Sequence, residues 1–220
     1  MYKSSVSNAA VTPQTNKSSV LEKEDSNSRM SDSSQQNTNA TIIKDDSRFL
    51  DKVIVITGAG GSFGREGCIY FAKRGAKIAA LEVNPSTLAE TVLELEKSCP
   101  GARVCALECN VTSAEAVLRT MESVETQLGP IDMLWNNAGY QGEIKPTLEY
   151  DPSDFQKVMD INVTGMFIVL QAVARRMAQE DRGGSIVNTA SVAGLRGTPA
   201  MVAYVSSKAA VLGMTGTLEY

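Results

Sequence analysis

The chain has 220 residues, a formal net charge of −4 and 43% hydrophobic residues, values that suit a soluble globular protein. Basic residues are neither in excess nor clustered, and aromatic residues make up only 5%, so the composition argues against nucleic-acid binding. The longest apolar runs, such as 53–56 and 166–170, are far too short to span a bilayer, which argues against a membrane-embedded protein.

Residues 1–48 form a polar segment rich in Ser, Asn, Gln and Thr. They lack the apolar periodicity that could build a core, and we predict a disordered tail. An organellar transit peptide is a weaker alternative, because arginine first appears at Arg29 and an acidic cluster occurs at 22–25. A secretory signal is not expected, since the segment has no apolar core region.

From residue 49 onward, strand-like and helix-like segments alternate. Short β-branched or apolar runs predict five strands, at 52–57, 77–82, 102–107, 131–136 and 185–189. Amphipathic segments predict helices at 63–74, 85–97, 113–128, 153–179 and from 203 onward. The alternation predicts one α/β domain over 49–220, with a doubly wound parallel sheet covered by helices on both faces.

A glycine-rich turn, 57–64 (TGAGGSFG), follows the first predicted strand and opens the first helix. Glycines at this place let the backbone approach a pyrophosphate, which the N–H groups of a helix N-terminus favour. Glu82 ends the second strand about 20 residues later, the spacing expected of a carboxylate that binds the adenosine ribose. The alternative is a tight strand–helix loop followed by a solvated glutamate.

Tyr204 and Lys208 lie four positions apart at the start of the last predicted helix. A phenol is a weak base at neutral pH unless a nearby cation stabilises its phenolate, and residues at this spacing share a helix face. Ser191 follows a strand and can reach the same carboxyl edge of the sheet. Taken singly, each residue is better explained as an ordinary helix or turn residue than as a catalytic one.

The chain has 4 cysteines, without a CxxC pair, and no histidine. Metal ligation and histidine-based catalysis therefore lack their usual residues, and we predict no metal site. Cys105 and Cys109 are assigned to a strand and Cys68 to a helix. We expect buried, reduced thiols, in keeping with a cytoplasmic protein.

In order and spacing, these motifs resemble those of the short-chain dehydrogenase/reductase family from about residue 51 to the last residue. The glycine turn is similar to TGxxxGxG, with serine replacing the usual middle glycine, and 136–139 (NNAG) matches the element after the fourth strand. The resemblance implies a Rossmann fold in which the cofactor is bound by Gly58, Gly60, Ser62, Phe63, Gly64, Glu82, Asn110, Val111, Asn137, Ala138, Gly139, Tyr204 and Lys208.

The resemblance also implies a catalytic tetrad of Asn162, Ser191, Tyr204 and Lys208. Tyr204 would exchange a proton with the substrate oxygen while a hydride passes between the substrate carbon and the nicotinamide. Lys208 would support the tyrosine and hold the nicotinamide ribose. Ser191 would orient the reacting oxygen, and Asn162 would help hold a water for proton relay.

Two further interpretations concern neighbours of these motifs. Ser206 and Ser207 are interpreted as variable positions between the tyrosine and the lysine, and Trp135 as core packing. The loop 192–199 is expected to flank the substrate pocket with Leu195, Arg196 and Thr198.

The predicted function is an NAD(P)-dependent oxidoreductase that interconverts a secondary alcohol and a ketone. Glu82 favours NAD, because the 2′-phosphate of NADP would face a like charge. The stretch 137–142 resembles polyol and sugar-alcohol dehydrogenases, which suggests a small polyol or hydroxy compound as substrate. A 3-oxoacyl-type carbonyl reductase is an alternative.

Family members continue beyond the position of Tyr220 with two more strands and a substrate lid. The resemblance therefore implies a truncated domain lacking its last strands, an uncovered sheet edge after Thr189, and no dehydrogenase activity in these 220 residues. The alternative function is a catalytically inactive cofactor-binding or interaction protein. For a full-length version we expect a homo-oligomer formed through the last helix.

Overall fold

The structure, a computed structural model, describes residues 48–179 and 183–217. Apart from Arg48, the predicted disordered tail lies outside the described residues. Within them, five strands are present: β1 (Val53–Thr57), β2 (Lys77–Glu82), β3 (Val104–Glu108), β4 (Met133–Asn136) and β5 (Ser185–Asn188).

The strands form one parallel sheet in the order β3-β2-β1-β4-β5. The order reverses between β1 and β4, which is the place where open α/β sheets bind ligands at the carboxyl ends of their strands. The helices are α1 (Ser62–Ala72), α2 (Pro85–Ser98), α3 (Ala114–Leu128), α4 (Pro152–Met159), α5 (Met166–Gln179) and α6 (Val202–Gly216). The predicted doubly wound parallel sheet is confirmed.

Two apolar clusters hold the helices to the sheet, one on each face. Along β1, Val53 and Val55 join the cluster that packs against α3 and α5, whereas Ile54 and Ile56 join the cluster that packs against α1 and α2. All these side chains are at most 2% exposed. Because successive strand residues point to opposite faces, an unbroken apolar strand is what a sheet covered on both sides requires.

The helical stretch predicted at 153–179 is interrupted by a π-helical turn. Asp160–Gly165 separates α4 from α5, and such turns often mark functional sites. Pro152–Gln179 is long and apolar enough to cross a membrane, judged by length and composition alone. The core helix of a soluble protein meets the same criterion. Here Val169 and Val173 of α5 are fully buried against the sheet.

At the ends of the strands, one detail differs from the prediction and a second, the uncovered edge at β5, agrees with it. Cys109 follows β3 rather than lying within it, although it is buried as expected. Among the described residues β5 pairs only with β4 and is an edge strand, and Val187 in it is 58% exposed.

Candidate active site

The glycine-rich turn brings the end of β1 directly against the start of α1. Gly58 has a φ of +66°, and a Cβ added to Gly64 would lie 2.1 Å from the Gly58 carbonyl oxygen. Only glycine fits at these two positions. In the described structure no side-chain hydrogen bond caps the N-terminus of α1 after Gly61, so the N–H groups of its first turn are suited to bind an anion.

Glu82 lies at the end of β2, with its carboxylate fixed by three backbone amides. Oε2 accepts from the Gly60 N–H at 3.0 Å. Oε1 accepts from the N–H groups of Val83 and Asn84 at 2.9 and 3.0 Å. A negative charge is therefore held in one orientation beside the glycine turn.

A cavity of about 630 Å³ opens beside this carboxylate. Its volume falls in the roughly 300–1,000 Å³ range of small-molecule sites. Of the residues predicted to bind the cofactor, those lining the cavity are Gly58, Glu82, Asn110, Val111, Ala138 and Gly139. Phe63 is 76% exposed and instead lines a separate apolar groove with Trp135 and Val187, so the structure does not bring it into the same cavity.

Thr57 joins the glycine turn to the NNAG segment that follows β4. Its hydroxyl oxygen accepts from the N–H groups of Asn137 and Ala138, both at 2.9 Å, and its hydroxyl donates to Asn136 Oδ1 at 3.3 Å. The side chain is fully buried. The sequence analysis did not single out Thr57, although a polar residue ending an otherwise apolar strand is a signal that such a contact exists.

Asn162 lies in the π-helical turn and is completely buried. Its Oδ1 accepts from the Tyr140 N–H at 2.7 Å, and its Nδ2 donates to the Tyr140 carbonyl at 2.8 Å and to Ser207 Oγ at 2.9 Å. Ser207, also buried, donates in turn to the Tyr204 carbonyl at 2.8 Å. The sequence indicated no contact for Ser207, whereas in the structure its hydroxyl connects Asn162 to α6.

Lys208 is buried beside the ring of Tyr204. Its Nζ lies 5.6 Å from the ring centroid and donates to the Thr189 carbonyl at 2.7 Å. Burial lowers the pKa of Lys208. A Cβ added to Gly139 would lie 3.7 Å from this Nζ and 3.3 Å from Asn162 Oδ1, so the cavity wall directly adjoins the lysine and the asparagine.

Ser191 stands at the start of the turn that leads to α6. Its Oγ accepts from the Ala193 N–H at 3.1 Å, and the described residues contain no hydrogen bond between its hydroxyl and that of Tyr204. The turn packs closely on α6, because a Cβ added to Gly194 would lie 2.7 Å from the Lys208 backbone. The structure therefore joins three of the four tetrad residues through contacts and brings Ser191 to the same helix.

Metal-ligating side chains are not grouped in this part of the chain. Within 48–179 and 183–217, no cluster of three or more His, Cys, Asp or Glu could hold a metal ion. Burial raises the pKa of Cys68 to about 12 and also raises the pKa of Cys105 and Cys109. These thiols are therefore protonated at neutral pH.

Comparison with known proteins relates this geometry to two curated oxidoreductases. The chain is 34% identical over 175 residues to levodione reductase from Leifsonia aquatica, a match that covers 79% of this chain and 65% of that protein. It is 36% identical over 170 residues to a 3-oxoacyl-[acyl-carrier-protein] reductase from Thermotoga maritima, covering 77% of this chain and 68% of that protein.

A solved structure of NAD⁺-bound xylitol dehydrogenase superposes with a TM-score of 0.74 at 44% sequence identity, covering 77% of this chain and 64% of that one. The chain thus spans about two thirds of the length of these proteins. The family model described as short chain dehydrogenase matches residues 52–220, and the chain belongs to this family.

Proposed function

We propose that this chain carries the cofactor site and catalytic residues of an NAD-dependent oxidoreductase that interconverts a secondary alcohol and a ketone, with Tyr204 as the acid–base residue. The observation that carries the proposal is the contact series from the cavity wall through Asn162 and Ser207 to Tyr204 and Lys208. The series joins the cavity beside Glu82 to a tyrosine–lysine pair.

The residues present fit a dinucleotide. The glycine turn at Gly58 and Gly64 packs the end of β1 closely against the start of α1. The N–H groups at the start of α1 would bind a phosphate. Glu82 faces the cavity with a fixed carboxylate, which suits a ribose with two free hydroxyls. Asn110 and Val111 line the cavity beside it and would contact the adenine.

When bound, the nicotinamide supplies or accepts the hydride. Tyr204 would then hold or release the proton at the substrate oxygen. Lys208, whose Nζ lies 5.6 Å from the centroid of the Tyr204 ring, would place a positive charge beside the tyrosine while the proton is exchanged. Ser191 would donate a hydrogen bond to the same oxygen, once its hydroxyl is directed away from its own turn.

NAD is the favoured cofactor because of the charge at Glu82. Its two oxygens already accept three amide hydrogen bonds, so the carboxylate is not free to rotate away from an added phosphate. The 2′-phosphate of NADP would therefore meet a fixed like charge. Arg65, the nearest basic residue on α1, is engaged with Glu90 at 2.7 Å. The NAD⁺ bound to the xylitol dehydrogenase also supports this choice.

For the substrate we propose a small polyol or hydroxy compound. Support comes from the 44% identity to a xylitol dehydrogenase and from the polar side chains of Arg196 and Thr198 in the loop after Ser191. A 3-oxoacyl thioester is the second candidate, favoured by the Thermotoga maritima relative.

We further propose that the enzyme is cytoplasmic, with a tail at 1–48 and a catalytic domain from 49. We propose that the full-length protein forms a homo-oligomer.

The test is an oxidation assay on a version of the chain extended through the strands and lid that family members carry beyond the position of Tyr220. It follows NADH formation with a panel of polyols, simple secondary alcohols and 3-hydroxyacyl thioesters. We expect turnover with NAD that is lost in Tyr204→Phe. The matched control is Tyr70→Phe, a tyrosine on α1 that lies outside the tetrad. Turnover that persists in Tyr204→Phe would contradict the catalytic assignment, and a clear preference for the thioesters would replace the polyol proposal.

A further inference from the structure

Asp154 on α4 collects hydrogen bonds from the loop that follows the NNAG segment. Its Oδ2 accepts from the Tyr150 hydroxyl at 2.6 Å and from the Glu143 N–H at 2.9 Å, and its Oδ1 accepts from the Tyr140 hydroxyl at 3.1 Å. One carboxylate therefore fastens the beginning, the middle and the end of loop 140–150.

Gly142 shows how closely this loop is seated. Its φ is +76°, and an added Cβ would lie 2.5 Å from the Tyr150 hydroxyl oxygen and 2.8 Å from Asp154 Oδ2. A side chain there would displace the carboxylate from its partners. The absence of a Cβ thus allows the loop to pack directly on Asp154.

Tyr140 connects this anchor to the tetrad. Its side chain donates to Asp154, while its backbone N–H and carbonyl are both bonded to the Asn162 side chain. The Lys157 ammonium also lies 4.6 Å from the Tyr140 ring centroid. The tyrosine is therefore held from two sides, by α4 through its ring and by the π-helical turn through its backbone.

We propose that Asp154 is a positioning residue for the reaction: by fixing Tyr140, it holds the Asn162 amide in the orientation that reaches Ser207 and α6. The proposal rests on the proposed function. A buried amide that exchanges two hydrogen bonds with one backbone segment keeps its orientation only while that segment stays in place. Loosening the loop therefore disturbs the tetrad without removing any of its side chains.

Three variants isolate this role. Asp154→Asn keeps the size of the side chain but removes its negative charge and one acceptor oxygen, so the charge-assisted hydrogen bonds that hold the loop become weaker. Tyr140→Phe removes only the hydrogen bond between the Tyr140 hydroxyl and the carboxylate and leaves the bonds from Glu143 and Tyr150. The matched control is Asp151→Ala, which removes the side chain that caps α4 through the Ser153 N–H and leaves the loop bonds intact.

The first readout is hydrogen exchange at the Tyr140 amide in the NAD-loaded full chain, which reports the bond to Asn162 directly and needs no turnover. In Asp154→Asn and Tyr140→Phe we expect exchange at least about 10-fold faster, because the loop opens locally. In Asp151→Ala we expect the parent rate at this amide, even if the whole helix is less stable.

The second readout is steady-state turnover with the best alcohol of the panel. In Asp154→Asn we expect kcat to fall by about 10-fold with little change in KM, since small misplacements of catalytic groups act on the reacting state. Combining Asp154→Asn with Tyr140→Phe is expected to add little to either single loss, because both break one connection.

Each outcome decides the proposal. The positioning role would be overturned if Asp154→Asn exchanged the Tyr140 amide at the parent rate or kept the parent kcat. It would also be overturned if Asp151→Ala changed the exchange rate and kcat as much as Asp154→Asn does. If the extended version of the parent turns over no alcohol, the proposed function is contradicted, and the exchange measurement alone then decides whether Asp154 holds Tyr140 against Asn162.

Discussion

The proposed site has two halves, an adenosine half around Glu82 and a tetrad half around Asn162 and Tyr204, and they are organised by different kinds of contact. In the adenosine half, the carboxylate of Glu82 is held by backbone amides of the glycine turn and of its own loop. In the tetrad half, Asn162 and Ser207 meet side chain to side chain, joining the π-helical turn to α6. Loop geometry builds the first half, whereas the second depends on a few buried hydroxyl and amide groups from separate elements.

This difference sets how each half responds to substitution. Backbone donors persist when a side chain is replaced, so a change in the adenosine half alters ligand preference more than structure. A network of buried side chains loses its donor or acceptor when a residue is replaced, and another buried polar group is then left without a hydrogen bond. We therefore expect the tetrad half to be the more sensitive of the two.

The largest expected effect is in the tetrad half, on chemistry alone. Tyr204→Phe removes the acid–base hydroxyl with little change in shape, so turnover should fall by at least about 10²-fold, the usual size of lost acid–base catalysis. NAD affinity, which depends on the other half, should stay within about 3-fold by calorimetry. A similar loss of both would show that the two halves are not separable.

The next largest effect concerns a position in the glycine turn where no side chain fits. Gly64→Ala places a Cβ 2.1 Å from the Gly58 carbonyl oxygen, so the turn must open, at a cost of about 1–3 kcal/mol of stability. Calorimetry should show NAD binding at least about 10-fold weaker. The control is Gly61→Ala, where the nearest atom to the added Cβ is 3.4 Å away.

Binding as tight as the parent's in Gly64→Ala would mean that the turn does not set the phosphate site.

A smaller effect compares two adjacent serines. Ser207→Ala leaves Asn162 Nδ2 without its bond to α6, so the free energy of unfolding should fall by about 1–3 kcal/mol. Ser206→Ala changes a more exposed side chain and should stay within about 0.5 kcal/mol of the parent. Urea denaturation of both variants measures the difference. Equal stabilities would mean that the buried contact at Ser207 contributes nothing to holding α6.

The smallest effect is a pH dependence in the loop beside the tetrad. Hydrogen bonds, first from Tyr150, hold the pKa of Asp154 below its usual value, whereas burial and then the bond to Asp154 raise the pKa of Tyr150 to about 12. The ionised Asp154 therefore contributes to the free energy of unfolding above about pH 4, and this contribution is lost as the pH falls further. The protonated Tyr150 contributes to the free energy of unfolding below about pH 10, and this contribution is lost as the pH rises towards 12.

Ultraviolet titration of tyrosine ionisation, with Tyr150→Phe to assign the signal, measures the upper transition. In Asp154→Asn the transition of Tyr150 should move down towards that of a free phenol. An unchanged transition would show that the carboxylate does not hold this hydroxyl.

The fold was predictable because its signals are local. The unbroken apolar run of β1 and the turn before α1 together specify a strand–turn–helix unit, and repetition of such units implies the parallel sheet. Glu82 was recognisable for the same reason, since its distance along the chain from the glycine turn reflects the length of one helix and one strand.

The contacts that the sequence did not reveal join distant segments through polar side chains. Ser207 looks like any serine on a helix until Asn162 is placed against it, and Asp154 looks like an ordinary acidic residue in a first helical turn. Asn162 is buried in the π-helical turn, and the spacing of hydrophobic residues along the chain does not predict such a turn. Such contacts depend on how helices pack, which periodicity does not encode.

The most direct test of the central proposal is calorimetric titration of NAD and NADP into the chain and into Glu82→Ser. We expect NAD to bind the parent at least about 10-fold more tightly than NADP, because the fixed carboxylate repels the 2′-phosphate, and we expect Glu82→Ser to remove this preference. NADP binding to the parent as tightly as NAD, or a preference that survives in Glu82→Ser, would contradict the role of Glu82 and the assignment of the cavity to an NAD site.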